Sequence, residues 1–213
     1  MMFYRIVSTL LGYPDATLRE ALPEIRTAIA AQGDFSPDER TVLAVFLAEL
    51  EALASADPTA VEEEYVRTFD MVPEHSLHLT HHLLGEDKNR GPALIDLSEF
   101  YKNCGFEINT RELPDFLPLM LEFVSMLEAG EDKVFLSRWN KVLRQLCTNL
   151  EEAGSSYARL VHLVESRSLL VGQAGDPVTP AATVKTDPCL DDGDFDPPVN
   201  WAAPSCSAHL RSL

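Results

Sequence analysis

Residues 36–53 read SPDERTVLAVFLAELEAL, and this stretch decides the fold. Ser36 is a helix N-cap residue, and Pro37 takes the first helical position, where a missing N–H costs nothing. Glu39 follows three residues after Ser36 and completes a capping box. Val42, Phe46, Leu50 and Leu53 then recur with a period of about 3.6, which lays one apolar stripe along a helix.

The same pattern extends in both directions. Phe3 to Leu11 forms a helix stopped by Gly12 and Pro14, and Thr17 to Ala31 forms the next, ending at Gly33. Asp57-Pro58 starts a helix that runs through Glu62-Glu63-Glu64 to Phe69. Pro73 breaks the chain before a His-rich helix expected over 74–84, stopped by Gly85. Pro92 opens another, with Leu94, Leu97, Tyr101 and Cys104 on one face and Gly105 as its cap. Pro114 opens a helix whose face carries Phe116, Met120, Phe123 and Leu127. Phe135, Trp139, Val142, Leu146 and Leu150 mark the next, up to Gly154. A last helix is expected over 156–170, with Leu160, Val161 and Val164 inward. The expected fold is all-α, a single-domain bundle of roughly eight to nine helices.

That domain is expected over residues 1–171. Beyond it the composition shifts, and residues 172–213 hold six of the 14 prolines and a run of aspartates, with sparse apolar residues. Such a segment cannot offset its ordering entropy, so it reads as an acidic, Pro-rich disordered tail. The net charge of -17 disfavours nucleic acid and anionic membranes and favours basic partners. Met1 to Leu11 reads as a first helix, not a signal peptide, and no run reaches the roughly 18 apolar residues of a membrane span. No stable membrane insertion is expected, and the expected location is the cytoplasm.

Constellations that would carry chemistry are thin. His75, His78 and His82 share one face if 74–84 is a continuous helix, and imidazoles at that spacing can ligate a metal. No Glu-x-x-His pair supports them. No phosphate-binding loop, nucleophile elbow or Cys-x-x-Cys pair is present. Glu62 to Glu64 read as a solvated helix face. Between Gly85 and Gly91, Glu86, Asp87, Lys88 and Arg90 crowd a junction, where Arg90 is expected to fork onto Asp96 or Glu122. Acids at Glu112 and Asp115 suit the positive end of a helix. The pattern suits a surface that holds another protein, not an enzyme.

Several of these pieces carry a resemblance. They are Tyr65-x-x-x-Phe69-Asp70, Leu79 to Gly91, Asp96-Leu97 with Tyr101, and Glu112-Leu113-Pro114-Asp115 with Leu117-Pro118 and Leu121-Glu122-Phe123. The chain resembles the nitrate reductase molybdenum cofactor assembly chaperones, the NarJ branch of the NarJ/TorD helical chaperone family. The family pattern in the second piece is roughly Leu-Phe-Glu-His-x-x-Gly-(Glu/Asp)-x-Arg-x-Arg-Gly. His82, Gly85, Glu86, Arg90 and Gly91 match it, whereas Thr80 stands for the Phe, His81 for the Glu and Lys88 for the first Arg.

The resemblance implies a cytoplasmic chaperone that binds the N-terminal segment of an apo catalytic subunit of a nitrate reductase-type molybdoenzyme. It implies that the client receives a molybdopterin guanine dinucleotide cofactor before membrane attachment, and that the chaperone binds no cofactor permanently. On this basis the client peptide is expected in a groove between helices. Phe69, Leu79, Leu83, Leu117 and Met120 are its expected walls, with the core the stronger expectation for Phe69 and Met120, Glu62 to Glu64, Glu86 and Asp115 its acidic rims, and Tyr65 and His82 its polar anchors. Asp70, Arg90 and Glu122 complete the candidate set. Two other readings stay open: a metal-binding protein using the His75/His78/His82 face, and an acidic adaptor acting through its tail.

Overall fold

The first helix is mostly apolar and buries one face against the later helices. In the computed structural model, which describes residues 1–31, 33–109 and 111–169, α1 (Met2–Leu11) buries Phe3, Tyr4, Ile6, Val7, Leu10 and Leu11. It packs most closely on α7 (Leu117–Met126), whose residues Leu117 to Leu121, Phe123 and Val124 are all buried. The Ser8 hydroxyl donates to the Pro118 carbonyl (2.7 Å) and pins the two helices together.

α2 (Ala16–Ala30), α3 (Pro37–Ala56) and α4 (Pro58–Phe69) follow as successive neighbours. The capping box of α3 forms as expected, with Glu39 N donating to Ser36 Oγ (3.2 Å) and Ser36 N to the Glu39 carboxylate (2.7 Å). α3 buries Leu43, Phe46, Leu47 and Leu50, while Leu53 is 37% exposed and so leaves the expected stripe.

The later helices are α5 (Leu79–Leu84), α6 (Arg90–Asn103), α8 (Glu131–Ser137), α9 (Asn140–Glu152) and α10 (Ala158–Arg167). α10 packs against α9, α3, α1 and α8. Among the described residues there are ten α-helices and no β-strand, which is the expected all-α architecture. The tail expected from residue 172 lies outside the described residues.

Three differences from the expected elements matter for the site and the core. The His-rich helix is not continuous: Pro73–His75 is a 3₁₀ turn, residues 76–78 are not helical, and α5 starts at Leu79. Pro114 does not open α7; Pro118 does, in its first turn. The stretch from Phe135 to Leu150 is split into α8 and α9, with Arg138 and Trp139 between them.

Two aromatic groups organise the core. Tyr101, Phe123 and Phe135 meet beneath α6, with Tyr101 and Phe123 centroids 4.6 Å apart. Tyr65, Phe69 and Tyr157 meet where α4 approaches the start of α10, at 4.8 Å between Tyr65 and Phe69 and 4.8 Å between Phe69 and Tyr157.

Candidate functional site

Of the residues singled out from sequence, Leu79, Arg90, Asp115 and Leu117 meet at one joint, where the approach to α5 meets the approach to α7. His78 and Phe116 form an isolated antiparallel bridge. Leu79 N donates to the Asp115 carbonyl (3.0 Å) and Leu117 N to the Leu77 carbonyl (2.8 Å). This pairing explains why residues 76–78 are extended. The Leu77 carbonyl finds a backbone partner across the chain that a helix would deny it.

Asp115 lies at the centre of the joint and is fully buried. Its carboxylate accepts from Thr80 N (3.1 Å), from the Thr80 hydroxyl and from His78 Nδ1 (3.1 Å). Arg90 Nε donates to the Thr80 hydroxyl oxygen (3.1 Å), and its Nη2 stands 3.8 Å from Asp115. Thr80 therefore relays between a guanidinium and a carboxylate. Burial alone would raise the pKa of Asp115; the hydrogen bonds from His78 and Thr80 outweigh it and hold the carboxyl below its ordinary range. The buried Tyr101 hydroxyl closes the floor by donating to the Pro114 carbonyl (2.9 Å).

This arrangement corrects several expectations. Asp115 is not a rim acid, because a carboxylate with three donors and a nearby cation can be buried. Arg90 pairs with Asp115, not with Asp96 or Glu122; Glu122 is exposed on α7. Leu79 and Leu117, expected as walls, are fully buried, and Tyr65, expected as a polar anchor, is nearly so; Met120 and Phe69 lie in the core, the stronger expectation for both. The Tyr65 hydroxyl donates to the Leu11 carbonyl (3.0 Å) and so ties α4 to α1. Leu83 is 38% exposed, and Asp70 and Glu86 are exposed, so these three remain at the surface.

The histidines do not share a helix face, since they lie on a 3₁₀ turn, an extended segment and α5. Each has its own partner. His75 Nδ1 and Nε2 face the carbonyls of Thr68 (3.0 Å) and Asn149 (3.2 Å), and His82 Nε2 donates to the Ser76 carbonyl (2.7 Å). Burial lowers the pKa of His82. Among the described residues no cluster of His, Cys, Asp or Glu could hold a metal ion, and no helix is long and apolar enough to cross a membrane.

Sequence reasoning missed Thr80 and Tyr101 as members of the joint. Thr80 did carry a signal, as a hydroxyl standing where the family pattern has Phe. Tyr157, at the base of the second aromatic group, carried none beyond its apolar neighbours.

Among the described residues, the fold and the joint define an all-helical protein in which a buried polar constellation locks two chain segments together. Comparison with known proteins then narrows this class. The family described as nitrate reductase delta subunit matches residues 14–162. The chain is 37% identical over 159 residues to the nitrate reductase molybdenum cofactor assembly chaperone NarJ of Escherichia coli (strain K12), covering 75% of this chain and 66% of that protein. It is 34% identical over 161 residues to a probable chaperone of the same description from Bacillus subtilis (strain 168), covering 76% of this chain and 85% of that one. It is 30% identical over 156 residues to the probable chaperone NarW of E. coli (strain K12), covering 71% and 62%. The chain thus spans just under two thirds of the length of the E. coli relatives. It belongs to the nitrate reductase delta subunit family.

Proposed function

We propose that this protein is a cytoplasmic assembly chaperone for the catalytic subunit of a nitrate reductase or a close molybdoenzyme relative. It holds the N-terminal segment of the apo subunit and keeps that subunit competent for insertion of a molybdopterin guanine dinucleotide cofactor. It delays attachment to the membrane partner and is not itself an enzyme. Its helical domain spans residues 1–171, and the acidic segment beyond is an appendage.

One observation carries this reading: the family match over residues 14–162, joined to relatives named for molybdenum cofactor assembly of nitrate reductase. The net charge of -17 supports it, because a strongly acidic surface steers a basic client segment and repels anionic membranes.

Calorimetric titration of the full chain with a peptide copying the N-terminus of the organism's nitrate reductase catalytic subunit tests the reading. Saturable one-to-one binding that weakens at high salt is expected. Absence of binding at both low and high salt refutes capture of that segment.

A further inference from the structure

Cys104 caps the end of α6 and is disulfide-bonded. Its backbone N–H donates to the Phe100 carbonyl (3.1 Å), so the two side chains lie one turn apart on one face of α6. The chain has four cysteines, and Cys147 of α9 is a free, buried thiol. Within its own chain Cys104 therefore has only Cys189 and Cys206 to pair with. Both belong to the acidic C-terminal segment, which the proposed function leaves without a role.

The face around Cys104 is apolar. Phe100, Cys104 and Phe106 are only partly buried against the core. Phe100 stacks on Phe135 of α8, with 5.8 Å between centroids and 8° between planes, and Phe106 meets Phe123 (5.6 Å).

The C-terminal segment starts on the same side of the molecule. Ser168, just past α10, accepts a hydrogen bond from the Asn140 side chain (2.7 Å), and Asn140 opens α9 shortly after α8 ends. The path from there along α8 to Phe135, across to Phe100 and on to Cys104 is about 30 Å by helix geometry. A chain as long as that from Leu169 to Cys206 spans roughly 30–36 Å on average, so it reaches Cys104 without being stretched. Charge agrees: Arg138 and Lys141 flank Asn140 in sequence, and the segment carries Asp191, Asp192, Asp194 and Asp196.

Of the two cysteines, Cys206 fits the face better. Trp201 stands five residues before it, much as Phe100 stands one turn before Cys104, so a single bond brings two aromatic rings within reach of each other. Cys189 has Pro188 and Leu190 beside it and no aromatic residue within five positions.

We propose that the face formed by Phe100, Cys104 and Phe106 binds this chain's own C-terminal segment, with Trp201 against Phe100 and a Cys104–Cys206 disulfide as a redox-controlled clasp. Closing it takes two electrons and two protons from the two thiols. With hydrogen peroxide as oxidant, both S–H bonds and the O–O bond break, the S–S bond forms and two water molecules leave. Two equivalents of a small thiol reopen the clasp by exchange and depart as their own disulfide. In a reducing cytoplasm such a bond is transient and reports oxidant; it is not a permanent staple. The inference is independent of client capture.

The test treats the full chain, first reduced, with one equivalent of hydrogen peroxide, then alkylates it after unfolding and maps the peptides by mass spectrometry. The expected product is a Cys104–Cys206 linked peptide, with Cys147 and Cys189 alkylated. Cys206→Ser should abolish the link and Cys189→Ser should leave it; neither position belongs to the described helices, so folding is not at issue. Trp201→Ala should slow closure about twofold to tenfold, the effect of one lost aromatic contact on the local concentration of the thiol. Trp139 is fully buried, so acrylamide quenching of tryptophan fluorescence reports Trp201 and should fall on oxidation. Cys104 alkylated after peroxide, or linked to Cys189 or to a second copy of the chain, overturns the proposal. Closure as fast in urea as in the folded protein, with Trp201→Ala without effect, also overturns it, because the link would then reflect chance encounter and not docking.

Discussion

Replacing Asp115 with alanine should be among the most damaging single substitutions in this protein. The carboxylate is fully buried and accepts from Thr80 N, the Thr80 hydroxyl and His78 Nδ1, with Arg90 close by. Removing it leaves a buried amide, a hydroxyl and a half-buried guanidinium without their acceptor. Truncating one partner of such a buried charged network costs about 3–5 kcal/mol. For a domain of this size that is a fall of roughly 6–20 °C in thermal midpoint. Urea unfolding should show a lower midpoint with an unchanged slope. Asp115→Asn keeps the shape and one acceptor oxygen, and should lose about 1–3 kcal/mol.

A cycle with Thr80→Val separates the joint from general packing, because adjoining members of one network are non-additive. pH adds an independent check. The folded pKa of Asp115 is depressed, so its contribution is fully present above the unfolded value near 3.8 and is lost as pH falls through the folded one. Wild type should therefore lose its advantage over Asp115→Asn in acid, below about pH 4. An Asp115→Ala protein within about 1 kcal/mol of wild type at neutral pH would refute the account of a stabilising joint.

Other expectations follow from the same structure. Gly85 has φ +54 and ψ −126 at the end of α5, a region other residues avoid, so Gly85→Ala should cost about 1–3 kcal/mol by urea titration. Ser36→Ala removes one half of the α3 capping box and should cost about 0.5–2 kcal/mol in the same assay. Deleting residues 172–213 should leave peptide affinity in calorimetry within about twofold of the full chain, and a complete loss would favour an adaptor that works through its tail.

How far the sequence reached depended on whether the signal was local. The start of α3 was legible because capping chemistry and the 3.6 period sit within a few residues of one another. The His-rich helix was misread because residues 76–78 pair with Phe116, nearly forty positions away, and no periodicity reports such a partner. Pro114 was credited with opening α7 for the same reason: its carbonyl is committed to Tyr101, and the helix waits for Pro118. Asp115 looked like a surface acid because carboxylates usually are; its burial depends on donors from Thr80 and His78. Tyr65 and Phe69 were read as a polar anchor and a wall of a client groove, whereas in the structure they tie α4 to α1 and α10.

The pairing of α1 with α7 has a consequence during synthesis. α1 leaves the ribosome before α7, whose first residue, Leu117, is added more than a hundred residues later, and α10 follows later still. At ordinary translation rates the apolar face of α1 waits roughly 5–20 s before its cover exists. For that interval the nascent protein carries α1 with its greasy face in need of shelter.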